Sequence, residues 1–285
     1  MRSLTLRSPA KLNLFLKVIR KRPDGYHDLE TLFERINLCD TISLKLHKKD
    51  EIRVSCPGVT LPKGNGNLAY RAADFLKKKY KITEGIEIIL NKKIPVAAGL
   101  GGGSSNAATV LKGLDQLWDL SLTESDLMSI GRVLGSDVPF FINDVKWAIG
   151  TEKGDVLKPI CFRLKLWHIL VVPRIKMYSR EVFTRLNLQL TKADDDVNIL
   201  SRALYNKDIN KVSKALCNDL EPSILGISPK LLKVKTAVAK ATQLGVSFSG
   251  SGPALFGIMK SRKEAQAAYE KLSKVYSRVF VVATF

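Results

Sequence analysis

Apolar and polar positions partly alternate from residue 3 to residue 19, and the run is closed by Arg20-Lys21-Arg22-Pro23-Asp24-Gly25. A period of two followed by turn formers predicts strand, turn, strand. Short alternating runs at 41–46 and 52–56 predict further strands, ended by Pro57-Gly58 and by the Lys63-Gly64-Asn65-Gly66 loop. From Asn67 the period changes. Leu68, Ala72, Phe75 and Leu76 fall on one helical face, with Lys77, Lys78 and Lys79 opposite. Residues 86–90 predict a strand. A helix over 106–118 carries an apolar stripe of Ala107, Ala108, Leu111, Leu114 and Trp118. Another helix runs over 123–134, opened by either Thr123-x-x-Asp126 or Ser121-x-x-Glu124.

Further along, a strand is predicted at 166–172, with helices at 198–204, 209–216 and 230–243. The last segment reads strand (245–248), glycine turn, strand (254–259), helix (263–274), strand (278–284). Strands and helices mix without a regular βαβ rhythm, so the expected class is α+β. Two domains are expected, 1–155 and 156–285.

Composition narrows the class. With 285 residues, 45% of them apolar, the chain buries a core without covalent staples. Cys39, Cys56, Cys161 and Cys217 lie far apart with no C-x-x-C pair, which argues against a disulfide framework or zinc site and for a reducing cytoplasm. Arg2, Arg7, Lys11, Lys17 and Arg20 interrupt the opening residues, so no secretory leader is expected there. Runs such as 167–173 and 279–285 fall short of the roughly 18 apolar residues that span a bilayer, so no membrane partner is expected. A formal charge of +19 suits either a nucleic-acid surface or a field that draws in anionic metabolites. Because the lysines are scattered in twos and threes along solvated faces, nucleic acid is not the expected partner.

The chemistry concentrates in a few stretches. Pro95-Val96-Ala97-Ala98-Gly99-Leu100-Gly101-Gly102-Gly103-Ser104-Ser105 puts four glycines directly before a helix, where bare amides can close on an anion at the positive end of the helix dipole. The segment lacks the Gly-Lys-Ser/Thr ending of a Walker loop and the G-x-G-x-x-G spacing of dinucleotide folds. Ser104 and Ser105 serve either as caps or as ligands of phosphate and Mg2+. Neither this loop nor Ser249-Gly250-Ser251-Gly252 fits the G-x-S-x-G of a serine hydrolase. Asp137, between Gly135 and Pro139, is either a turn residue or a carboxylate placed to take a proton. Lys11 shares a strand face with Asn13 in an apolar run, so it either snorkels to water or meets an anion.

Pro9-Ala10-Lys11-Leu12-Asn13-Leu14, the stretch 95–108, and Phe248-Ser249-Gly250-Ser251-Gly252-Pro253-Ala254 together resemble, in order and spacing, the three motifs of the GHMP small-molecule kinases. The resemblance covers essentially the whole chain. It implies a two-domain fold with a ribosomal protein S5 domain 2-like N-terminal part and a ferredoxin-like C-terminal part. ATP and Mg2+ are the implied cofactors, with residues 95–105 holding the nucleotide and Ser105 as metal ligand. Asp137 is implied as the base and Lys11 as its electrostatic partner.

Arg22-Pro23-Asp24-Gly25-Tyr26-His27-Asp28-Leu29 and Gly135-Ser136-Asp137-Val138-Pro139-Phe140-Phe141 are similar to the branch acting on a cytidine diphosphate-linked methylerythritol. On that likeness Tyr26 and His27 meet the cytosine, Asn13 helps hold the ligand, and Phe183 or Tyr178 supplies a second wall. A monomer or weak homodimer is expected. Homoserine, mevalonate or sugar kinases are the neighbouring alternatives, and a basic RNA-binding protein is the alternative from another class.

Overall fold

A computed structural model describes residues 2–187 and 196–285. It divides into two compact units that alternate along the chain. The first takes Met1–Ala10, Leu38–Val96 and Gly101–Val145; the second takes Lys11–Asn37, Ala97–Leu100 and Lys146–Phe285.

The chain opens with two long strands, β1 (Ser3–Lys21) and β2 (His27–His47), each shared between the units. In the first unit they are followed by β3 (Ile52–Ser55), a short 3-10 turn (Gly64–Gly66), α1 (Leu68–Tyr80), β4 (Gly85–Asn91), α2 (Gly102–Leu117), α3 (Glu124–Leu134) and α4 (Val138–Ile142). β4 pairs antiparallel with the end of β2, from Thr41 opposite Asn91 to His47 opposite Gly85, and β3 adds to β4 in parallel. The period of two is visible in burial: Ile42, Leu44 and Leu46 on β2 and Ile86, Ile88 and Leu90 on β4 are all buried.

Local chemistry sets the helix ends in this unit. Asn67 caps α1 by accepting from the Ala69 amide at 2.9 Å. Of the two openings the sequence allows for α3, Thr123 with Asp126 forms the capping box. α2 starts at Gly102, four residues before the expected Asn106. Its N-cap, Gly101, has φ +67, a left-handed conformation that glycine adopts without steric cost, so Gly102 and Gly103 begin the helix rather than precede it. Deeper in α2, a Cβ at Gly113 would overlap side-chain carbons of Leu44 and Leu6, so the helix seats close on the sheet because that position is bare.

The second unit adds β5 (Trp147–Thr151), β6 (Val156–Ile160), β7 (Trp167–Val171), α5 (Ser179–Thr184), α6 (Val197–Tyr205), α7 (Ile209–Lys214), β8 (Cys217–Asn218), α8 (Glu221–Ile227), α9 (Lys230–Thr242), β9 (Val246–Phe248), β10 (Leu255–Met259), α10 (Arg262–Leu272) and β11 (Val279–Ala283). Here the start of β2 pairs with β5, and β8 joins β1 in parallel at Phe15 and Leu16. A separate antiparallel sheet has the order β11-β7-β10-β9. Numbered along the chain that is 4-1-3-2, and with α9 and α10 as its crossovers it is the split βαβ arrangement of ferredoxin-like folds. Ile169, Val171, Leu231, Val238, Phe248, Leu255, Ala268 and Leu272 belong to its core.

Sequence periodicity did not indicate β5, β6, α4, α5, α8 or β8. α4 is Val-Pro-Phe-Phe-Ile, all buried, so it has no polar face from which a helical period could be read. β8 has two residues and exists only through its partner. A buried Glu34 accepts from Thr284 Oγ1 at 2.6 Å and shares a 2.8 Å hydrogen bond with His168 Nε2, fastening β2 to β7 and the end of the chain. None of the described helices is long and apolar enough to cross a membrane.

Gly113→Val is expected to lower the unfolding free energy by about 1–3 kcal/mol, read in urea, because the leucines facing it are already packed. An unchanged denaturation midpoint would show that α2 does not need its close seat.

Candidate active site

In the first unit the glycine-rich segment becomes the opening turn of α2. Gly102, Gly103 and Ser104 lie on it with no acidic residue in that turn, so its amides and the positive end of the helix dipole are not offset by side chains of the turn itself. The two serines differ in setting. Ser104 is half-buried, whereas Ser105 is fully buried and its hydroxyl shares a 2.8 Å hydrogen bond with Ser8 Oγ. Asp137 is the N-cap of α4, with φ −82 and ψ −12; its carboxylate makes no capping bond, and the neighbouring turn is closed by Val138 N–H donating to Gly135 at 3.1 Å. The sequence placed this aspartate just past a helix end, and it stands between two helices.

In the second unit Lys11 and Asn13 share a strand face, as their spacing predicts. Lys11 is 4% exposed, and its Nζ donates to Asn13 Oδ1 at 2.5 Å and lies 5.3 Å from the Phe33 ring centre. Asn13 Nδ2 donates to Thr31 Oγ1 at 2.8 Å, and Thr31 donates in turn to the Phe15 carbonyl at 2.6 Å. That chain fixes the amide's rotation, so its oxygen faces the ammonium.

Residues 97–100 belong to this unit too, and they are stitched to the second glycine turn. Ser249 Oγ donates to the Gly99 carbonyl at 2.9 Å, and Ala254 N–H to Ala98 at 3.3 Å. A Cβ on Gly99, which has φ +75, would overlap the Ser249 carbonyl oxygen. Gly250 turns its bare side toward Lys11: a Cβ there would stand 3.2 Å from Asn13 Oδ1 and 3.4 Å from Lys11 Nζ.

Sequence reasoning missed Asn218, the latch of this turn. Its Nδ2 donates to the carbonyls of Phe248 and Gly250, each at 2.9 Å, and its Oδ1 accepts from Leu220 N–H at 2.9 Å. An isolated asparagine carries no periodic or motif signal, so only its register beside β1 reveals it.

Tyr26 and His27 sit where the hairpin closes. Asp28 binds Arg20 at 2.6 Å and Arg22 at 2.7 Å, and Tyr26 N–H donates to Asp24 at 3.0 Å. Tyr26 is exposed, with Lys153 Nζ 5.3 Å from its ring centre. His27 stacks on Phe183, centroids 5.2 Å apart and planes 26° from parallel, while Tyr178 is exposed. The two rings in contact form one continuous aromatic surface. Burial, and then the charge of Lys21, push the His27 pKa below the usual histidine value, which keeps the imidazole neutral at pH 7.

Among the described residues no group of three or more His, Cys, Asp or Glu is gathered as for a metal ion. The first unit supplies amide donors on a helix start and a carboxylate on a short turn; the second supplies a buried ammonium beside a glycine turn and an aromatic surface with a neutral imidazole. These are the parts of a small-molecule phosphotransferase.

Residues 67–144 match the family described as GHMP kinases N terminal domain, and residues 200–278 match GHMP kinases C terminal. The fold is the two-domain α+β fold of the GHMP kinases. A 4-diphosphocytidyl-2-C-methyl-D-erythritol kinase of Alkaliphilus oremlandii is 40% identical over 286 residues, covering 100% of this chain and 98% of the relative. A crystal structure of 4-(cytidine 5'-diphospho)-2C-methyl-D-erythritol kinase superposes with a TM-score of 0.83 at 32% identity, covering 98% of each chain. Homoserine kinase from Cytophaga hutchinsonii shares the fold at a TM-score of 0.75 and 19% identity, covering 100% of this chain and 95% of that one. The chain belongs to the 4-diphosphocytidyl-2-C-methyl-D-erythritol kinase family.

Asn218→Ala strips the donor from two carbonyls and should cost about 2–3 kcal/mol of unfolding free energy; a loss under about 0.5 kcal/mol would show that the turn holds itself. For His27, NMR titration should find a pKa below the ordinary value that moves upward in Lys21→Met. Because the folded value is the lower one, the stability contributed by neutral His27 is present above the unfolded pKa of about 6.5 and is lost as pH falls through the folded value.

Proposed function

We propose that this chain transfers the γ-phosphoryl group of ATP to the 2-hydroxyl of 4-diphosphocytidyl-2-C-methyl-D-erythritol. The reading rests above all on α2, which opens on glycines in a turn free of acidic side chains and so suits a polyphosphate. The near full-length likeness to relatives of that name supports the choice of substrate.

Asp137 is assigned the base that takes the proton from the attacking hydroxyl. It stands at the N-cap of α4 on the tight turn after α3, and a carboxylate held on such a turn suits proton acceptance from a positioned hydroxyl. Lys11 is assigned the cation that offsets negative charge developing on the transferred group. Its anchoring to Asn13 holds the ammonium in place in advance, so little reorganisation accompanies the reaction. Residues 95–105 cradle the phosphates, and the Gly250 turn beside Lys11 leaves room for an oxygen where a side chain would crowd it.

Mg2+, when bound with ATP, neutralises phosphate charge, and it draws most of its oxygens from phosphates and water. Ser104 and Ser105 are the hydroxyls on the turn that fit such an ion, Ser105 already sharing a hydrogen bond with Ser8. For the base, the outer face of the His27 and Phe183 pair offers a stacking surface, neutral His27 offers one donor and one acceptor, and Tyr26 completes the rim. The enzyme acts in the cytoplasm as a monomer or weak homodimer.

Purified protein should release ADP with 4-diphosphocytidyl-2-C-methyl-D-erythritol and not with mevalonate or homoserine. Asp137→Asn should lower kcat about 10^3-fold or more with ATP affinity within about 2-fold. Full turnover by that variant would remove Asp137 from the chemistry, and ADP release with mevalonate alone would overturn the substrate.

A further inference from the structure

Beneath the start of α2, within the first unit, lies a buried carboxylate that no step above uses. Asp40, on β2, is fully buried and its two oxygens are saturated. Oδ1 accepts the backbone amides of Lys93 and Ile94, each at 2.8 Å. Oδ2 accepts the ammonium of Lys92 and the Nδ2 of Asn106, the latter at 2.9 Å. Lys92 Nζ also donates to Asn106 Oδ1 at 3.1 Å, and Asn106 Nδ2 reaches Ser8 Oγ at 2.9 Å, which is bonded to Ser105 Oγ. One carboxylate thus grips both the chain leaving β4 and the first turn of the helix.

Such a network is not explained by stability alone, since a buried ion pair replaced by well-packed apolar groups is often as stable or more so. Its location is the informative feature. Lys92 Nζ would stand 3.2 Å from a Cβ on Gly102, the first residue of α2, so the network reaches the underside of the amides that face outward. Asp40 offsets the charge of Lys92 at that spot, leaving the backbone amides as the donors whose direction matters. We infer that Asp40 is a positioning residue for the nucleotide: through Lys92, Asn106 and the Ser8 to Ser105 bond it sets the direction of the α2 opening amides, and hence affinity for the ATP phosphates. This rests on the assignment of that turn to ATP.

Asp40→Asn keeps the shape but replaces an acceptor oxygen with a donor, so at least one of the four donors loses its partner. In the full-length enzyme it is expected to raise both the KM for ATP and the Kd for a non-hydrolysable ATP analogue about 10-fold, with the KM for the hydroxyl substrate within about 2-fold. Ser8→Ala removes the two Ser8 bonds, to Asn106 and to Ser105, while leaving every contact of Asp40 in place, and should weaken the same analogue about 3-fold. A purely structural role would instead lower the melting temperature and the active fraction, leaving the affinity of the folded protein for the analogue as in wild type. That outcome in Asp40→Asn overturns the inference; where Asp40→Asn does not fold, unchanged analogue affinity in Ser8→Ala overturns it. Wild-type protein that binds no ATP analogue but turns over a different phosphoryl donor would sink the assignment of the turn itself, a result distinct from either.

Discussion

Two stretches of backbone far apart in sequence approach so closely at Gly99 and Ser249 that position 99 has no room for a side chain. A Cβ on Gly99 would overlap the Ser249 carbonyl, and the contact is held by the Ser249 hydroxyl and by the Ala254 amide. The setting of Lys11 follows from this approach. Its own amide donates to Leu100 at 3.0 Å, and the turn so pinned brings Gly250 against its ammonium. Only bare backbone packs this closely, and bare backbone is also what leaves room for phosphate oxygens.

Polar groups are buried here at a cost that hydrogen bonds must offset. Lys11, Asn13 and Thr31 form one such chain in the second unit, and Asp40, Lys92, Asn106 and Ser8 form another in the first. Both lie among residues that are otherwise apolar and buried, Leu12 and Leu14 around Lys11, Ile42 and Ile94 around Asp40. The division of labour is consistent: aliphatic side chains supply the cohesion, and each polar chain ends on a group whose direction matters, an ammonium in one unit and a helix start in the other. Asn218 plays the same part for the second glycine turn.

Much of the secondary structure was legible because its causes are local. Short apolar runs gave β4 and β10, helical spacing gave α1 and α9, and side-chain caps set the starts of α1 and α3. The missed elements lack a local cause. α4 is apolar throughout, β8 exists by pairing with β1, and β5 is defined by its pairing with the start of β2. α2 begins earlier than its apolar stripe shows, because glycine, a poor helix former in a helix interior, is accommodated at a helix start.

The candidate site divides along the same line. Residue type and spacing by themselves determined the glycine-rich segment ahead of a helix, the strand face shared by Lys11 and Asn13, the aspartate on a turn and the aromatic hairpin tip, since each depends on neighbours in the chain. Only the tertiary structure decided that Gly250 faces Lys11, that Phe183 rather than Tyr178 meets His27, that the Ser105 hydroxyl is engaged by Ser8, and that Asp40 and Asn218 hold the loops. Those contacts join residues tens to hundreds of positions apart. Their geometry is set by how sheets and helices pack, which no local pattern of side chains encodes.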